Sequence, residues 1–296
     1  MGIEVGFVGL GSMGVPMAEA LIDAGMSLTV FNRTASKAEP LVAKGARLVT
    51  SAGDVAKPGG IVVTMVADDA ALESIALGED GVAARLGKGG VHLSMSTVSP
   101  ALSRRLAEHH ARHGCIYLAA PVFGRPERAR ARKLWIVISG AAAAKERIRP
   151  LLDAMGQQTF DMGDEPAAAN VMKLVNNFLI MSAIEALSEA LVMAEKGGLE
   201  GPVVAKVLTG SLFNCPLYQG YLDTITKRAF EPAGFKLKLG LKDIELAMQM
   251  AHDTDTPVPT ASLVRDRILV GLAHGRGEMD WAAIAIGTRE DAGLKP

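Results

Sequence analysis

The rhythm of hydrophobic and polar positions changes once along this chain. Short apolar runs at Ile3–Val8, Leu28–Asn32, Ile61–Val66, Val91–Met95, Ile116–Ala119 and Leu134–Ile138 predict strands, with weaker candidates near Leu48 and Phe160. Several are apolar without interruption, the pattern of parallel strands covered on both faces. Between them, Met13–Ala24, Ala70–Ile75, Ala101–His113 and Lys145–Met155 repeat apolar residues every three or four positions, which is the helical period. Alternation of this kind predicts an α/β domain built on a doubly wound sheet. After about Gly163 the strand pattern stops. Ala167–Lys196 is a long helical stretch without interior Gly or Pro, closed by Gly197-Gly198, and further helices are expected at Val203–Leu208, Leu237–His252 and Ala261–His274. The expected organisation is an α/β domain over residues 1–163 followed by an all-helical domain over 164–296.

Composition narrows the class. At 296 residues, with 49 % hydrophobic and 21 % charged positions, the chain has ample material for two folded domains. With 31 basic and 32 acidic residues, no overall field draws it to DNA or to an anionic membrane. Two cysteines, Cys115 and Cys215, make no disulfide framework and fit a reducing compartment. The longest uncharged run, Val207–Leu222, is interrupted by Asn214, Pro216 and two Gly, and it is too short for a membrane span of about 18 residues or more. The N-terminus shows no secretion or myristoylation signal. A cytoplasmic protein with no membrane partner is the expectation.

The first strand runs directly into Gly9-Leu10-Gly11-Ser12-Met13-Gly14, and a helix follows. In that context the glycines have separate tasks. Gly9 permits the tight turn, Gly11 admits a pyrophosphate close to the backbone, and Gly14 lets helix and strand approach. Unpaired N–H groups at the helix start then face the phosphates, with Leu10, Ser12 and Met13 of the turn among the expected cofactor-binding residues. The sheet is therefore expected to be of the Rossmann type and to bind a dinucleotide. At the end of the second strand, where a carboxylate usually takes the ribose 2′-hydroxyl, stands Phe31-Asn32-Arg33-Thr34. Arg33 can grip a 2′-phosphate with a charge-assisted fork, and Asn32 and Thr34 can donate to it, so NADP(H) is favoured, with NAD(H) as an alternative carrier.

On the long helix, Lys173 and Asn177 fall one turn apart in an otherwise apolar stretch. A lysine desolvated beside a cleft gives up its proton more readily and can protonate the alkoxide formed by hydride addition to a carbonyl. The segment by itself favours the plainer reading, a lysine snorkelling to solvent and an asparagine capping a loop.

Four segments in order carry a resemblance: Gly9–Ala18, Ser96-Thr97-Val98-Ser99-Pro100, Lys173-Leu174-Val175-Asn176-Asn177 and Leu241-Lys242-Asp243. Together they resemble the β-hydroxyacid dehydrogenase family, which includes 3-hydroxyisobutyrate dehydrogenase, tartronate semialdehyde reductase and γ-hydroxybutyrate dehydrogenases. More distant relatives are 6-phosphogluconate dehydrogenase and the imine reductases. The resemblance implies an NADPH-dependent oxidoreductase that passes hydride to a small aldehyde or keto, semialdehyde-like substrate in a cleft between the domains. It implies Lys173 as catalytic lysine and Asn177 as its partner. Met65 and Val66 would pass the adenosine ribose, Thr97 the nicotinamide, and Lys242 would reach toward the cofactor. Ser96, with the loop Val122-Phe123-Gly124-Arg125, would meet the substrate. The helical domain would build a homodimer or homotetramer.

That loop departs from the family's Asp-Ala-Pro-Val-Ser-Gly-Gly. Here Ala119-Ala120-Pro121-Val122-Phe123-Gly124-Arg125-Pro126 replaces a hydroxyl donor by a ring and a glycine by a cation, and Arg125 can face either an anion or solvent. The imine reductases also lack Ser-Gly-Gly but carry Asp or Tyr at the lysine position, so imine (C=N) reduction stands as an alternative. A non-catalytic cofactor-binding protein is a second. The basic run Arg125–Lys133 lacks interleaved aromatics and predicts no nucleic-acid site, and His109, His110 and His113 lack acidic companions and predict no metal site. Trp135 reads as core, with a pocket role left open.

Overall fold

The protein is described by a computed structural model over residues 2–295. Nine strands, β1 (Glu4–Val8), β2 (Ser27–Phe31), β3 (Arg47–Leu48), β4 (Ile61–Thr64), β5 (Val91–Ser94), β6 (Ile116–Ala119), β7 (Val122–Phe123), β8 (Leu134–Ile138) and β9 (Gly156–Asp161), fall in the first part of the chain. The helices among them are α1 (Gly14–Asp23), α2 (Glu39–Val42), α3 (Asp69–Ala76), α4 (Val82–Leu86), α5 (Pro100–Arg112), α6 (Pro126–Arg130) and α7 (Ala142–Met155). The second part holds α8 (Ala168–Lys196), α9 (Gly201–Thr209), α10 (Pro216–Thr226), α11 (Leu237–Asp253), α12 (Pro259–Ala273) and α13 (Ile284–Asp291). The chain divides into two compact units, and the division falls inside α8, after Lys173, ten residues beyond the boundary the pattern suggested.

In the first unit six strands form a parallel sheet in the order β3-β2-β1-β4-β5-β6. The register pairs Val5 with Leu28 and Ile61, and Phe7 with Val30 and Val63. Side chains alternate across the pleat. Val5 and Phe7 meet Met17 and Leu21 of α1 and Ile148 and Leu152 of α7, while Val8 and Val62 meet Val55, Val82 and Leu86 on the other face. Both faces are covered, which explains the uninterrupted apolar runs. Phe7 is fully buried, and its burial contributes about 2–3 kcal/mol. A smaller sheet follows, in which β8 pairs antiparallel with β7 and parallel with β9. The run Leu134–Ile138 thus belongs to this second sheet, and β7 is a two-residue strand that no periodicity could announce.

The caps of two helices explain short sequence signals. Ser99 accepts from the Leu102 amide at 3.0 Å, and Asp69 accepts from the Ser99 amide at 2.9 Å, so Ser99-Pro100 is the start of α5. Ser139, just past β8, accepts from the Ala169 amide at 3.0 Å and donates to the Pro166 carbonyl at 3.0 Å. The buried Asn170 accepts from Ser103 at 2.8 Å. These bonds fix the first turn of α8 three residues ahead of Lys173.

The second unit is all helix around a core of Ile184, Leu222, Leu237, Ile244, Val264, Ile268 and Trp281. The Trp281 indole donates to the Tyr221 hydroxyl at 2.7 Å. Among the described residues α8 is the one helix long and apolar enough to cross a membrane by length and composition, and 44 % of its apolar window is buried in the protein. It carries a buried Glu185 ion-paired with Arg267 at 2.8 Å. Burial pushes the Glu185 carboxyl above the usual carboxylate range, while the Arg267 guanidinium opposes that rise. Helix α10 was not expected, because Pro216 and Gly220 read as breakers. Pro216 lies in the helix's first turn, where a missing amide costs nothing, and Gly220 meets only open space.

Candidate active site

In the first unit the singled-out residues collect at the carboxyl ends of the parallel strands, where open α/β sheets bind ligands. Gly9 follows β1 with φ +97°, and a Cβ there would collide with the Met65 carbonyl oxygen. A Cβ on Gly14 would collide with the Gly9 carbonyl oxygen. Gly11 differs: a Cβ there would meet nothing within 4 Å, so its face is open to an approaching group. Helix α1 starts with no side-chain cap and no acidic residue in its first turn, so no carboxylate there repels an anion, although the Val15 amide donates to the Gly11 carbonyl at 3.1 Å and Pro16 has no amide to offer. These features fit a dinucleotide's pyrophosphate.

The ends of β2, β4 and β5 are tied to this turn. Asn32 accepts from the Leu10 amide at 2.9 Å and donates to the Thr34 carbonyl at 2.9 Å. Its amide therefore shapes the glycine turn and the bend after β2, while the side chains of Arg33 and Thr34 are exposed beside it. The Met65 amide donates to the Val8 carbonyl at 2.9 Å, and the Val66 amide donates to Ser96 at 2.9 Å. Ser96 is fully buried, so its hydroxyl braces one loop against another; Thr97 is half-buried next to it.

Lys173 meets the loop after β6. Its Nζ donates to the Val122 carbonyl at 2.9 Å and stands 5.3 Å from the centre of the Phe123 ring. The ammonium is half-buried and held on two sides, by a carbonyl dipole and by a π face. Such a group can donate a further hydrogen bond to an oxygen placed beside it, and can lose a proton to that oxygen as negative charge develops. Gly124 turns the loop with φ +135°, and Arg125 is the residue before α6.

In the second unit Asn177, Lys242 and Asp243 come together. Asn177 donates to Asp243 Oδ2 at 2.5 Å, and Lys242 Nζ lies 2.8 Å from Asp243 Oδ1. Asp243 is 1 % exposed. Its role as the bridge between the two expected residues was missed, although a signal existed. Leu237, Gly240, Ile244, Ala247 and Ala251 form the buried stripe of α11, and Asp243 falls on that stripe.

Comparison with known proteins accords with this geometry. The family model described as the NAD binding domain of 6-phosphogluconate dehydrogenase matches residues 4–163, and that described as NAD-binding of NADP-dependent 3-hydroxyisobutyrate dehydrogenase matches 167–286. An uncharacterised oxidoreductase of Bacillus subtilis is 43 % identical over 95 % of this chain and 98 % of its own length. Glyoxylate/succinic semialdehyde reductase 1 of Arabidopsis thaliana is 31 % identical over 95 % of this chain and 97 % of its own. Among solved structures, 3-hydroxyisobutyrate dehydrogenase of Mycobacterium tuberculosis with L-serine aligns at TM-score 0.87 and 28 % identity, covering 98 % of this chain and 100 % of that one. With a glycine cradle at the carboxyl end of β1, an all-helical second unit and these matches across both, the chain belongs to the β-hydroxyacid dehydrogenase family of NAD(P)-dependent oxidoreductases.

Proposed function

We propose that the protein is an NADPH-preferring reductase of a small aldehyde or ketone, with Lys173 as proton donor. The observation that carries this reading is the Lys173 ammonium, half-buried and pinned at 2.9 Å to the Val122 carbonyl. When bound, NADPH supplies the hydride that reduces the carbonyl carbon. The glycine turn and the start of α1 hold its pyrophosphate, and Arg33 pairs with its 2′-phosphate. Lys173 hydrogen-bonds the substrate oxygen and transfers a proton to it as the alkoxide develops, then regains a proton from solvent. The family resemblance gives Asn177 and Lys242 positioning roles, and Asp243 holds both side chains. The first unit serves the cofactor and carries the Lys173–Phe123 corner that meets the substrate, and the second serves self-association into a dimer or tetramer.

The reading is tested by Lys173→Met, which keeps length and apolar bulk. Turnover should fall at least a hundredfold while NADPH binding, followed by its fluorescence, stays within about twofold. Supplying a cyclic imine beside the aldehydes decides between C=O and C=N reduction: an imine turned over faster than every aldehyde contradicts the proposal.

A further inference from the structure

The side chain that shares the Lys173 corner is an aromatic ring, not a hydrogen-bond donor. Lys173 Nζ stands 5.3 Å from the centre of Phe123 and bonds to the carbonyl of the residue just before it. Phe123, partly buried, packs against a cluster that includes Val98, Tyr117 and Val137. The β7–β8 pairing sets Phe123 opposite Trp135, which puts both rings on one face of the ribbon. The Arg128 guanidinium lies 4.2 Å over Trp135, the far ring of that pair.

An oxygen that takes a proton from Lys173 must come within hydrogen-bond reach of Nζ, about 2.6–3.2 Å. The substituents of its carbon then lie beside Phe123. An aromatic face carries partial negative charge and offers no N–H or O–H. It attracts the ammonium and accepts alkyl or aryl surface, but the ring gives a carboxylate laid against it no hydrogen bond in place of the water it loses. We propose that Phe123 is a specificity-determining residue and that the site takes aldehydes and ketones whose carbonyl bears an apolar or aromatic substituent, in preference to those bearing a carboxylate. The inference rests on the reading of Lys173 as proton donor.

The test compares kcat/KM with NADPH for butanal and succinic semialdehyde, four-carbon aldehydes that differ in a methyl against a carboxylate end, with phenylacetaldehyde as an aromatic third. The wild-type protein should favour butanal and phenylacetaldehyde over succinic semialdehyde at least tenfold. Phe123→Ser should shrink that ratio at least tenfold, and Phe123→Leu, which keeps an apolar side chain, should preserve it. Should Phe123→Ser fail to fold, the wild-type and Phe123→Leu ratios decide. A wild-type preference for succinic semialdehyde, no turnover of either apolar aldehyde, or an unmoved ratio in a folded Phe123→Ser overturns the inference. Lys173→Ala separates the two claims: if it loses turnover while the wild type prefers the acid, only the Phe123 inference fails. If Lys173→Ala keeps turnover, the proton-donor reading fails.

Discussion

At the scale of single residues, cofactor choice turns on Arg33. No carboxylate stands at the end of β2, and the Asn32 amide is committed to Leu10 and Thr34, so the exposed guanidinium is the main contact offered to a 2′-phosphate. A charge-assisted hydrogen bond contributes about 1.5–3 kcal/mol. Arg33→Ala should therefore raise KM for NADPH by roughly tenfold or more and leave KM for NADH unchanged, as measured by steady-state kinetics with both carriers. Asp243 belongs to the same scale. Removing a buried carboxylate that holds both Asn177 and Lys242 leaves their donors without their acceptor, and Asp243→Ala should lower unfolding free energy by on the order of 3 kcal/mol in denaturant titration. Lys173 was singled out as catalytic only through the family resemblance, because a lone charge in an apolar helix also reads as one snorkelling to solvent; the glycine turn was legible in the sequence because it is a local signal, a spaced motif after a strand. The Asn177–Asp243 bond was not, because its partners are 66 positions apart. Nor was the commitment of Asn32 to backbone groups, which only the turn geometry decides.

At the scale of elements, strands and helices with a clear period were legible, and those short of one were not. β1, β4 and β6 carry apolar residues on both faces and stand out from any neighbour, whereas β7 is two residues long and takes its conformation from pairing with β8. The polar contacts between β4, β5 and α5 were equally hidden. Thr64 Oγ1 lies 3.0 Å from His92 Nε2, His92 Nδ1 lies 2.9 Å from His110 Nε2, and His110 Nδ1 lies 2.6 Å from the Leu106 carbonyl. The last contact fixes the rest. A carbonyl only accepts, so His110 donates from Nδ1 and accepts at Nε2; His92 donates from Nδ1 to it and accepts the Thr64 hydroxyl at Nε2. Both rings are neutral; protonating His110 would set its Nε2–H against the His92 Nδ1–H, whereas a proton on His92 Nε2 would turn the Thr64 hydroxyl from donor to acceptor. Burial lowers both pKa values, with each ring's neighbours adding repulsion: His92 falls well below 6.5, and His110 falls to about 4. The unfolded chain still takes up these protons near 6.5, so the stabilisation is complete above that pH and is lost as pH falls toward 4. Unfolding free energy should drop by on the order of 2 kcal/mol between pH 7 and pH 5 from His110 alone. Thermal unfolding across that range measures it, and replacing both histidines by Leu should flatten the slope.

At the scale of the whole molecule, the second unit leaves much of its apolar surface uncovered. Helix α9 has no fully buried residue, Val203 and Val207 on it are exposed, and Leu212 just after it is 95 % exposed. Leu179 and Met193 on α8 are exposed as well. Patches of this kind on a folded chain mark association surfaces. The expected outcome in light scattering is a particle of two or four chains, and Leu179→Asp with Val207→Asp should shift it to one chain without unfolding the first unit. The division into an α/β and a helical part was legible because the hydrophobic period changes from strand–helix alternation to helix alone. Where one unit ends was not, because α8 runs through the division without a break in its pattern.

The central claim is that the Lys173 amine supplies the proton, and chemical rescue tests it most directly. Lys173→Ala should lose at least a hundredfold in kcat with saturating NADPH and aldehyde, and added ethylammonium should restore turnover in a saturable, pH-dependent way. A variant that keeps turnover within about threefold of the wild type would contradict the account.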